Sequence, residues 1–213
     1  MKFFEVKVCG LTRPKDAALA VRLGCDIIGM IFYRKSPRLV SQSIAKSIIS
    51  AVLPTVRRTG VFVDLKPDAV LRVACRLQLD YVQLHGSYSI KDIDIVRKEG
   101  FKVIEAFHVE TQKDYERVMT SHADLVLLDN KTTSQSGGTG QRFNWGIVPP
   151  RKIPNLVLAG GICSNNVKEG IKRFSPLVID VNSGVESSPG IKSETKLRDF
   201  FSLCNRLRYG SKK

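Results

Sequence analysis

The chain has 213 residues, of which 43% are hydrophobic and 25% charged, and its formal net charge is +14. Its length suits one sizeable core rather than two, and it has no long apolar run or signal-peptide stretch, so we expect a single domain over residues 1–213 and no membrane partner. Five scattered cysteines without C-x-x-C spacing argue against a disulfide framework or a zinc knuckle and favour the reducing cytoplasm.

Short apolar runs alternate with helical patterns from one end of the chain to the other. The predicted strands begin near Phe3, Ile27, Thr59, Tyr81, Lys102, Leu125, Asn155 and Leu177. Each is followed by a segment able to form a crossover helix, which parallel strands require. An α/β doubly wound open sheet would give the same local signals, but the count of eight favours a closed (β/α)8 TIM barrel.

Several predicted helices have recognisable ends and one apolar face. In the first, we expect Thr12 to cap, Pro14 to occupy the first turn and Gly24 to end the helix. We expect Ser41 to cap the second. Later apolar faces are marked by Val70, Val73, Ala74 and Leu77, by Val167, Ile171 and Phe174, and by Leu197, Phe200, Phe201 and Cys204. One-sided helices are typical of the outer layer of a barrel.

Two strand ends carry groups suited to acid–base chemistry. Cys9 follows the first strand beside Gly10, and Asp129 follows the sixth strand, on the far side of the barrel axis. Each alone has an ordinary explanation, since Cys9 could be a small buried hydrophobe and Asp129 a cap. Because active sites of barrels lie at the carboxyl ends of the strands, the two together form a candidate acid–base pair.

Glycine-containing loops follow the seventh and eighth strands. The first contains Gly160 and Gly161, and the second contains Ser183 and Gly184. Glycines let backbone N–H groups approach an anion closely, and a following short helix would point its positive end at it. A Gly-Gly pair alone may only make a tight turn, whereas two such loops at adjacent strand ends favour a phosphate site.

The loop after the second strand gathers Arg34, Lys35 and Arg38 within five residues. Such a cluster is usually solvated, although an Arg fixed beside Pro37 offers a planar fork for a carboxylate. The histidines do not suggest a metal: His85 could reach the mouth, His108 is expected on another loop and His122 at the opposite face. No spacing supports zinc at Cys9, His85 and Asp129, so we predict no metal and no cofactor.

The sequence resembles the phosphoribosylanthranilate isomerases, barrel enzymes of tryptophan biosynthesis, through motifs that follow one another in the same order along the chain. The matching motifs are KVCGLT (7–12), GMIFYRKSPRLV (29–40), GVFVD (60–64), VQLHG (82–86), LLDNK (127–131), GGTGQRFNW (137–145), LAGGI (158–162) and DVNSGVESSPGIK (180–192). They span nearly the whole chain. Indole-glycerol-phosphate synthase and related barrels share the phosphate region, but not the combination of Cys at strand one with Asp at strand six.

The resemblance implies a cofactor-independent Amadori rearrangement of N-(5-phospho-β-D-ribosyl)anthranilate to 1-(2-carboxyphenylamino)-1-deoxy-D-ribulose 5-phosphate. It assigns the general acid to Asp129 and the general base to Cys9. The implied substrate-binding residues are Arg38 for the anthranilate carboxylate, Gly160, Gly161, Ser183 and Gly184 for the phosphate, and Asp180 for orientation, and we add His85. Asn182 replaces the more usual Ser, which leaves the side-chain contact to the phosphate open, and Cys163 adds a second thiol near the loop.

Two alternatives remain: another phosphate-sugar barrel isomerase, and a basic nucleic-acid-binding protein on a barrel scaffold. The basic residues are dispersed, with no run longer than the pairs Arg57-Arg58 and Lys212-Lys213, and no basic stripe is interleaved with aromatic residues. We therefore expect a solvated basic surface, a small phosphorylated substrate as partner and no specific nucleic acid. The sequence does not decide between monomer and homodimer.

Overall fold

In the computed structural model, which describes residues 4–129, 147 and 149–210, the first eight strands close into one parallel barrel. The strands are β1 (Glu5–Val8), β2 (Ile27–Ile31), β3 (Arg57–Val63), β4 (Tyr81–His85), β5 (Lys102–His108), β6 (Leu125–Asp129), β7 (Leu156–Leu158) and β8 (Val178–Val181). Pairing of β1 with β8 closes the ring. The predicted (β/α)8 architecture is confirmed, and the predicted strand starts agree with the observed ones to within about two residues.

Helices follow the strands on the outside of the barrel. They are α1 (Pro14–Leu23), α2 (Gln42–Ser50), α3 (Pro67–Leu77), α4 (Ile90–Lys98), α5 (Asp114–Met119), α6 (Val167–Phe174) and α7 (Glu194–Tyr209). The helix predicted between β6 and β7 falls largely outside the described residues. None of the described helices is long and apolar enough to cross a bilayer.

The chain between β8 and α7 contains structure that the sequence patterns did not predict. A single 3₁₀ turn at Ser183–Val185 leads into an antiparallel hairpin of β9 (Glu186–Ser188) and β10 (Ile191–Lys192). This β9–β10 hairpin lies close to the loop after β1, because the Thr12 hydroxyl donates a hydrogen bond to the Gly190 carbonyl. The hairpin therefore belongs to the carboxyl end of the barrel, where β1 and β8 are neighbours.

Two of the three predicted helix ends are confirmed. Gly24 ends α1 in the left-handed conformation at φ 111°, and the Ser41 side chain accepts a backbone hydrogen bond at the start of α2. The prediction that Thr12 caps α1 is wrong. Arg13 is the residue that precedes the helix, and its side chain provides no cap. The Thr12 hydroxyl instead donates its hydrogen bond to the β9–β10 hairpin.

Alternation along the strands separates the barrel interior from the helix-facing layer. The apolar interior cluster consists of Ile27, Tyr81, Ile104, Leu125, Leu127, Val157, Ala159 and Val178. The strand register places six polar residues on the same inner faces. They are Lys7, Thr59, Gln83, His85, Asp129 and Asp180. The predicted faces of α6 and α7 pack in the larger cluster outside the barrel. The polar side chains of the strands thus face the barrel interior.

Candidate active site

Cys9 lies directly past β1, on the same face of the chain as Lys7, and is 5% exposed. Gly29 of β2 makes room for it, since a Cβ there would lie 2.9 Å from the Cys9 sulfur. Gly10 has φ 67°, a left-handed conformation that turns the chain immediately after the thiol. Burial raises the pKa of the Cys9 thiol, while the positive charge of Lys7 opposes that rise.

An ion pair lies in the interior close to Cys9. Lys7 Nζ is 2.6 Å from Asp180 Oδ2, and the register of β1 with β8 pairs these two residues directly. Burial alone would lower the pKa of Lys7, but Asp180 and Cys9 outweigh it and raise the pKa. The other oxygen of Asp180 is buried and has no hydrogen-bond partner among the described residues. Asp180 thus keeps one oxygen that can accept a further hydrogen bond.

Asp129 is the last residue of β6 and shares the inner face of that strand with Leu127. Around the closed barrel, β6 is separated from β1 by β7 and β8. His108, expected on another loop, is instead the last residue of β5, and its Nδ1 lies 3.3 Å from the Asp129 carbonyl oxygen. The side chains of Cys9 and Asp129 therefore belong to the same rim of the barrel interior.

His85 ends β4 on the same rim, and its Nε2 contacts the side-chain amide of Gln83. Gln83 is buried within the barrel, and its amide oxygen has no hydrogen-bond partner among the described residues. His122 precedes β6, at the opposite end of the barrel from the rim. In the part of the chain that the structure describes, no group of three His, Cys, Asp or Glu side chains is arranged to hold a metal ion.

The loop after β7 is held in shape by one side chain, Asn166. Gly160 and Gly161 have φ values of 73° and 67°, which only glycine adopts without strain. The Asn166 side chain donates to the Gly161 carbonyl at 2.9 Å and accepts from the Cys163 N–H at 2.8 Å. Asn166 therefore fixes the shape of the loop directly before α6.

The loop after β8 packs against the loop after β7. Ser183 is exposed at the start of the 3₁₀ turn, and Gly184 follows it. The Ile162 carbonyl lies so close to Gly184 that a side chain would not fit there. The two glycine-containing loops that the sequence singled out thus lie side by side at the carboxyl ends of adjacent strands.

Of the three clustered cations after β2, only Arg38 is buried, at 5% exposure, whereas Arg34 and Lys35 are exposed. The carboxylate of Glu186 in β9 binds it through two parallel contacts, Nε to Oε1 at 2.9 Å and Nη2 to Oε2 at 2.6 Å. Lys192 of β10 joins the same carboxylate from the other side, with Nζ 2.9 Å from Oε1. The Arg38 side chain crosses directly over Gly10, next to Cys9.

Comparison with known proteins shows the family to which a chain with this site belongs. The family model described as N-(5'phosphoribosyl)anthranilate (PRA) isomerase matches residues 6–203. The chain belongs to the phosphoribosylanthranilate isomerase family. The motif GGTGQRFNW and the last two residues of LLDNK lie outside the described residues, whereas the other matching motifs lie within them.

Relatives match over almost their full length. The N-(5'-phosphoribosyl)anthranilate isomerase of Thermotoga petrophila is 39% identical over 207 residues, covering 95% of this chain and 99% of its own. The solved isomerase of Thermotoga maritima superposes with a TM-score of 0.86 at 36% identity, covering 95% and 98% of the two chains. A solved isomerase in complex with reduced 1-(o-carboxyphenylamino)-1-deoxyribulose 5-phosphate has a TM-score of 0.83 at 34% identity, covering 95% and 98%.

Sequence reasoning about this isomerase-family chain missed five buried polar residues near the rim. They are Lys7, Gln83, Asn166, Glu186 and Lys192. A signal existed for the first two, because Lys7 stands two residues before Cys9 and Gln83 two residues before His85, so each shares the inward face of that residue. Glu186 and Lys192 lie inside a matched motif, but nothing local marks either as buried.

Proposed function

We propose that this chain catalyses the Amadori rearrangement of N-(5-phospho-β-D-ribosyl)anthranilate to 1-(2-carboxyphenylamino)-1-deoxy-D-ribulose 5-phosphate, in tryptophan biosynthesis and without a cofactor. One observation carries the proposal: Cys9, directly after β1, and Asp129, at the end of β6, lie on the rim of one closed barrel that also carries the two glycine-containing loops. The family member solved with a reduced carboxyphenylamino ribulose phosphate supports a ligand that carries both a phosphate and a carboxylate.

The first step opens the sugar ring. Asp129 donates a proton to the ring oxygen, the bond between C1 and that oxygen breaks, and the nitrogen lone pair forms a C1=N double bond. The result is a protonated Schiff base. A carboxylic acid suits this step because the same group, once ionised, can recover its proton later in the cycle.

The second step moves a proton from C2. The Cys9 thiolate takes the C2 proton, the C–H electrons form a C1=C2 double bond, and the C=N electrons return to nitrogen. Tautomerisation of the resulting enol then leaves a ketone at C2 and two hydrogens on C1. The positive charge of Lys7 supports this role, since it offsets part of the burial that raises the pKa of Cys9.

The remaining residues bind and orient the substrate. Arg38 holds the anthranilate carboxylate, and Asp180 accepts a hydrogen bond from a sugar hydroxyl through its unpaired oxygen. Backbone N–H groups of the loops at Gly160, Gly161, Ser183 and Gly184 hold the phosphate, and His85 contacts the ligand from β4. We expect the protein to work in the cytoplasm, as a monomer or a homodimer.

The experiment that tests this function mixes purified protein with phosphoribosylanthranilate and follows both substrate fluorescence and product. Cys9→Ala and Asp129→Asn should each lower kcat by about 10² to 10⁴, the usual cost of losing a general acid or base, while substrate binding is largely kept. Cys163→Ser is the matched thiol control and should remain active. Near-normal kcat in Cys9→Ala with loss in Cys163→Ser would move the base to the other thiol.

The pH dependence of kcat/KM should be bell-shaped. Cys9 must lose its proton, so activity rises with pH on that limb, and burial displaces the limb toward alkaline pH because it raises the pKa of Cys9. The mechanism also consumes a proton from the general acid, which closes the profile on its other side. A profile that is flat across both limbs would rule out this acid–base pair.

A further inference from the structure

Three buried charged side chains connect the loop after β2 with the β9–β10 hairpin. They are Arg38, Glu186 and Lys192, here called the Arg38 clamp, and their exposures are 5%, 6% and 4%. None of the three belongs to the acid–base pair. The carboxylate lies between the two cations, with its Oε1 atom 2.9 Å from both Arg38 Nε and Lys192 Nζ.

The way in which Glu186 binds Arg38 leaves one edge of the guanidinium uncovered. A guanidinium has five N–H donors, and Glu186 occupies the side formed by Nε and Nη2. Nη1 has no hydrogen-bond partner among the described residues. The edge formed by Nη1 and Nη2 is therefore open to a second carboxylate in the same bidentate geometry.

The charges of the Arg38 clamp do not balance. Lys192 Nζ contacts three oxygens, the carbonyl and Oδ1 of Asn182 and Oε1 of Glu186, at 3.1, 2.9 and 2.9 Å. Three acceptors require the three donors of a protonated ammonium. Burial would raise the pKa of Glu186, but Arg38 and Lys192 outweigh it and lower the pKa, so the carboxylate is ionised. Burial lowers the pKa of Lys192, and Glu186 opposes that fall. With the ammonium that the three contacts hold, two cations and one anion leave a surplus positive charge that favours an anionic group nearby.

We propose that Glu186 and Lys192 are positioning residues for substrate recognition: Glu186 holds Arg38 side-on, so that its open edge faces the substrate carboxylate, and Lys192 supplies the surplus charge. This inference rests on the proposed function, because it takes the anthranilate carboxylate as the missing anion. Glu186 directly follows the 3₁₀ turn of the predicted phosphate loop. One chain segment after β8 therefore organises the recognition of both anionic ends of the ligand.

The test measures how much tighter a ligand binds because it carries the carboxylate. Reduced 1-(o-carboxyphenylamino)-1-deoxyribulose 5-phosphate is compared by calorimetry with its phenylamino analogue, which lacks that group. In Glu186→Gln, whose amide cannot accept two parallel N–H donors, the affinity ratio of the two ligands should fall about tenfold, the value of one charge-assisted contact. KM should rise with little change in kcat, and inhibition by inorganic phosphate should stay the same.

Three further variants complete the test. Arg38→Met is the reference variant: it gives the affinity ratio of the two ligands when the carboxylate contact is lost entirely. Glu194→Gln removes another glutamate that pairs with an arginine, Arg198, but on the exposed surface, and should change nothing. Lys192→Met, which leaves a neutral Arg38–Glu186 pair, should also lower the ratio, and it decides the matter if thermal melting shows that Glu186→Gln does not fold.

Each outcome has one meaning. A wild-type protein that neither converts phosphoribosylanthranilate nor binds the reduced product analogue overturns the proposed function, and the Arg38 clamp with it. An active wild type whose folded Glu186→Gln and Lys192→Met variants keep or increase the affinity ratio overturns only the clamp, since Glu186 would then merely compete with the ligand for Arg38. A reduced ratio with unchanged phosphate inhibition supports both.

Discussion

Cys9 differs from the buried Cys25 and Cys204 in the cations around it, since two lysines, Lys7 and Lys192, act on Cys9 and one arginine, Arg208, acts on the other two. Burial raises the pKa of Cys25 and Cys204 to about 12, and those two thiols have no acid–base task. The pKa of Cys9 is also raised by burial, but Lys7 and Lys192 act against the rise. Cys9 is therefore a thiol whose ionised form the fold partly supports, as a base in a closed site requires.

This difference predicts the reactivity of the thiols. With iodoacetamide near neutral pH, the exposed Cys75 should be alkylated well before Cys9, because the thiolate is the nucleophile and Cys9 is both protonated and covered. The rate at Cys9 should then rise with pH beyond the range of an ordinary thiol. Mass spectrometry of timed digests measures both rates. Alkylation of Cys9 as fast as Cys75 at neutral pH would mean that the lysines outweigh burial.

At the scale of elements, α7 is fastened to the amino-terminal end of the barrel by one buried cation. Arg208 is 2% exposed, and its Nη2 lies 2.7 Å from Asp26 Oδ2. Its Nη1 donates to the Gly24 carbonyl at 3.1 Å, and the guanidinium lies 5.1 Å from the centre of the Phe4 ring. Since α7 is the last helix of the chain, this contact ties the end of the chain to β1 and β2.

Arg208→Met should lower the free energy of unfolding by about 3 kcal/mol, because it removes the buried guanidinium that pairs with Asp26 and lies over the Phe4 ring. The matched control is Arg198→Met on the same helix, where an exposed pair with Glu194 contributes less than about 1 kcal/mol. Urea unfolding measures both. If the two variants lost the same free energy of unfolding, Arg208 would not be the residue that holds α7 against the barrel.

At the scale of the whole molecule, the charge of +14 comes from basic residues dispersed along the sequence. Several exposed or half-exposed arginines are already paired with acids on different elements, among them Arg57 with Glu5, Arg58 with Asp80 and Arg97 with Asp124. Such a surface attracts anions at long range without forming a track for a nucleic-acid backbone.

We therefore predict that the protein binds duplex DNA weakly and without sequence preference, and that binding disappears as salt rises, because release of counterions is its main source. Fluorescence anisotropy with two labelled duplexes of unrelated sequence, each titrated at low and at physiological salt, measures this. Tight binding of one duplex over the other at physiological salt would instead favour the nucleic-acid alternative.

The sequence alone predicted the barrel and the position of most candidate site residues, because both follow from local patterns. Runs such as Ile27–Ile31 are apolar on both faces wherever they occur in a parallel barrel, and residues that follow such runs reach the rim by geometry. For this reason Cys9, Asp129 and the two glycine-containing loops could be singled out without knowledge of any contact.

Only the tertiary structure decided which charged residues are buried and with which partners. Lys7 and Asp180 are 173 positions apart, and Arg38 and Glu186 are 148 apart. Closure of the barrel makes β8 the neighbour of β1 and brings the β9–β10 hairpin against the loops after β1 and β2. A lysine or glutamate has the same letter whether water or a buried counter-charge surrounds it, so desolvation, which sets its energy and its role, appears only once the chain has closed.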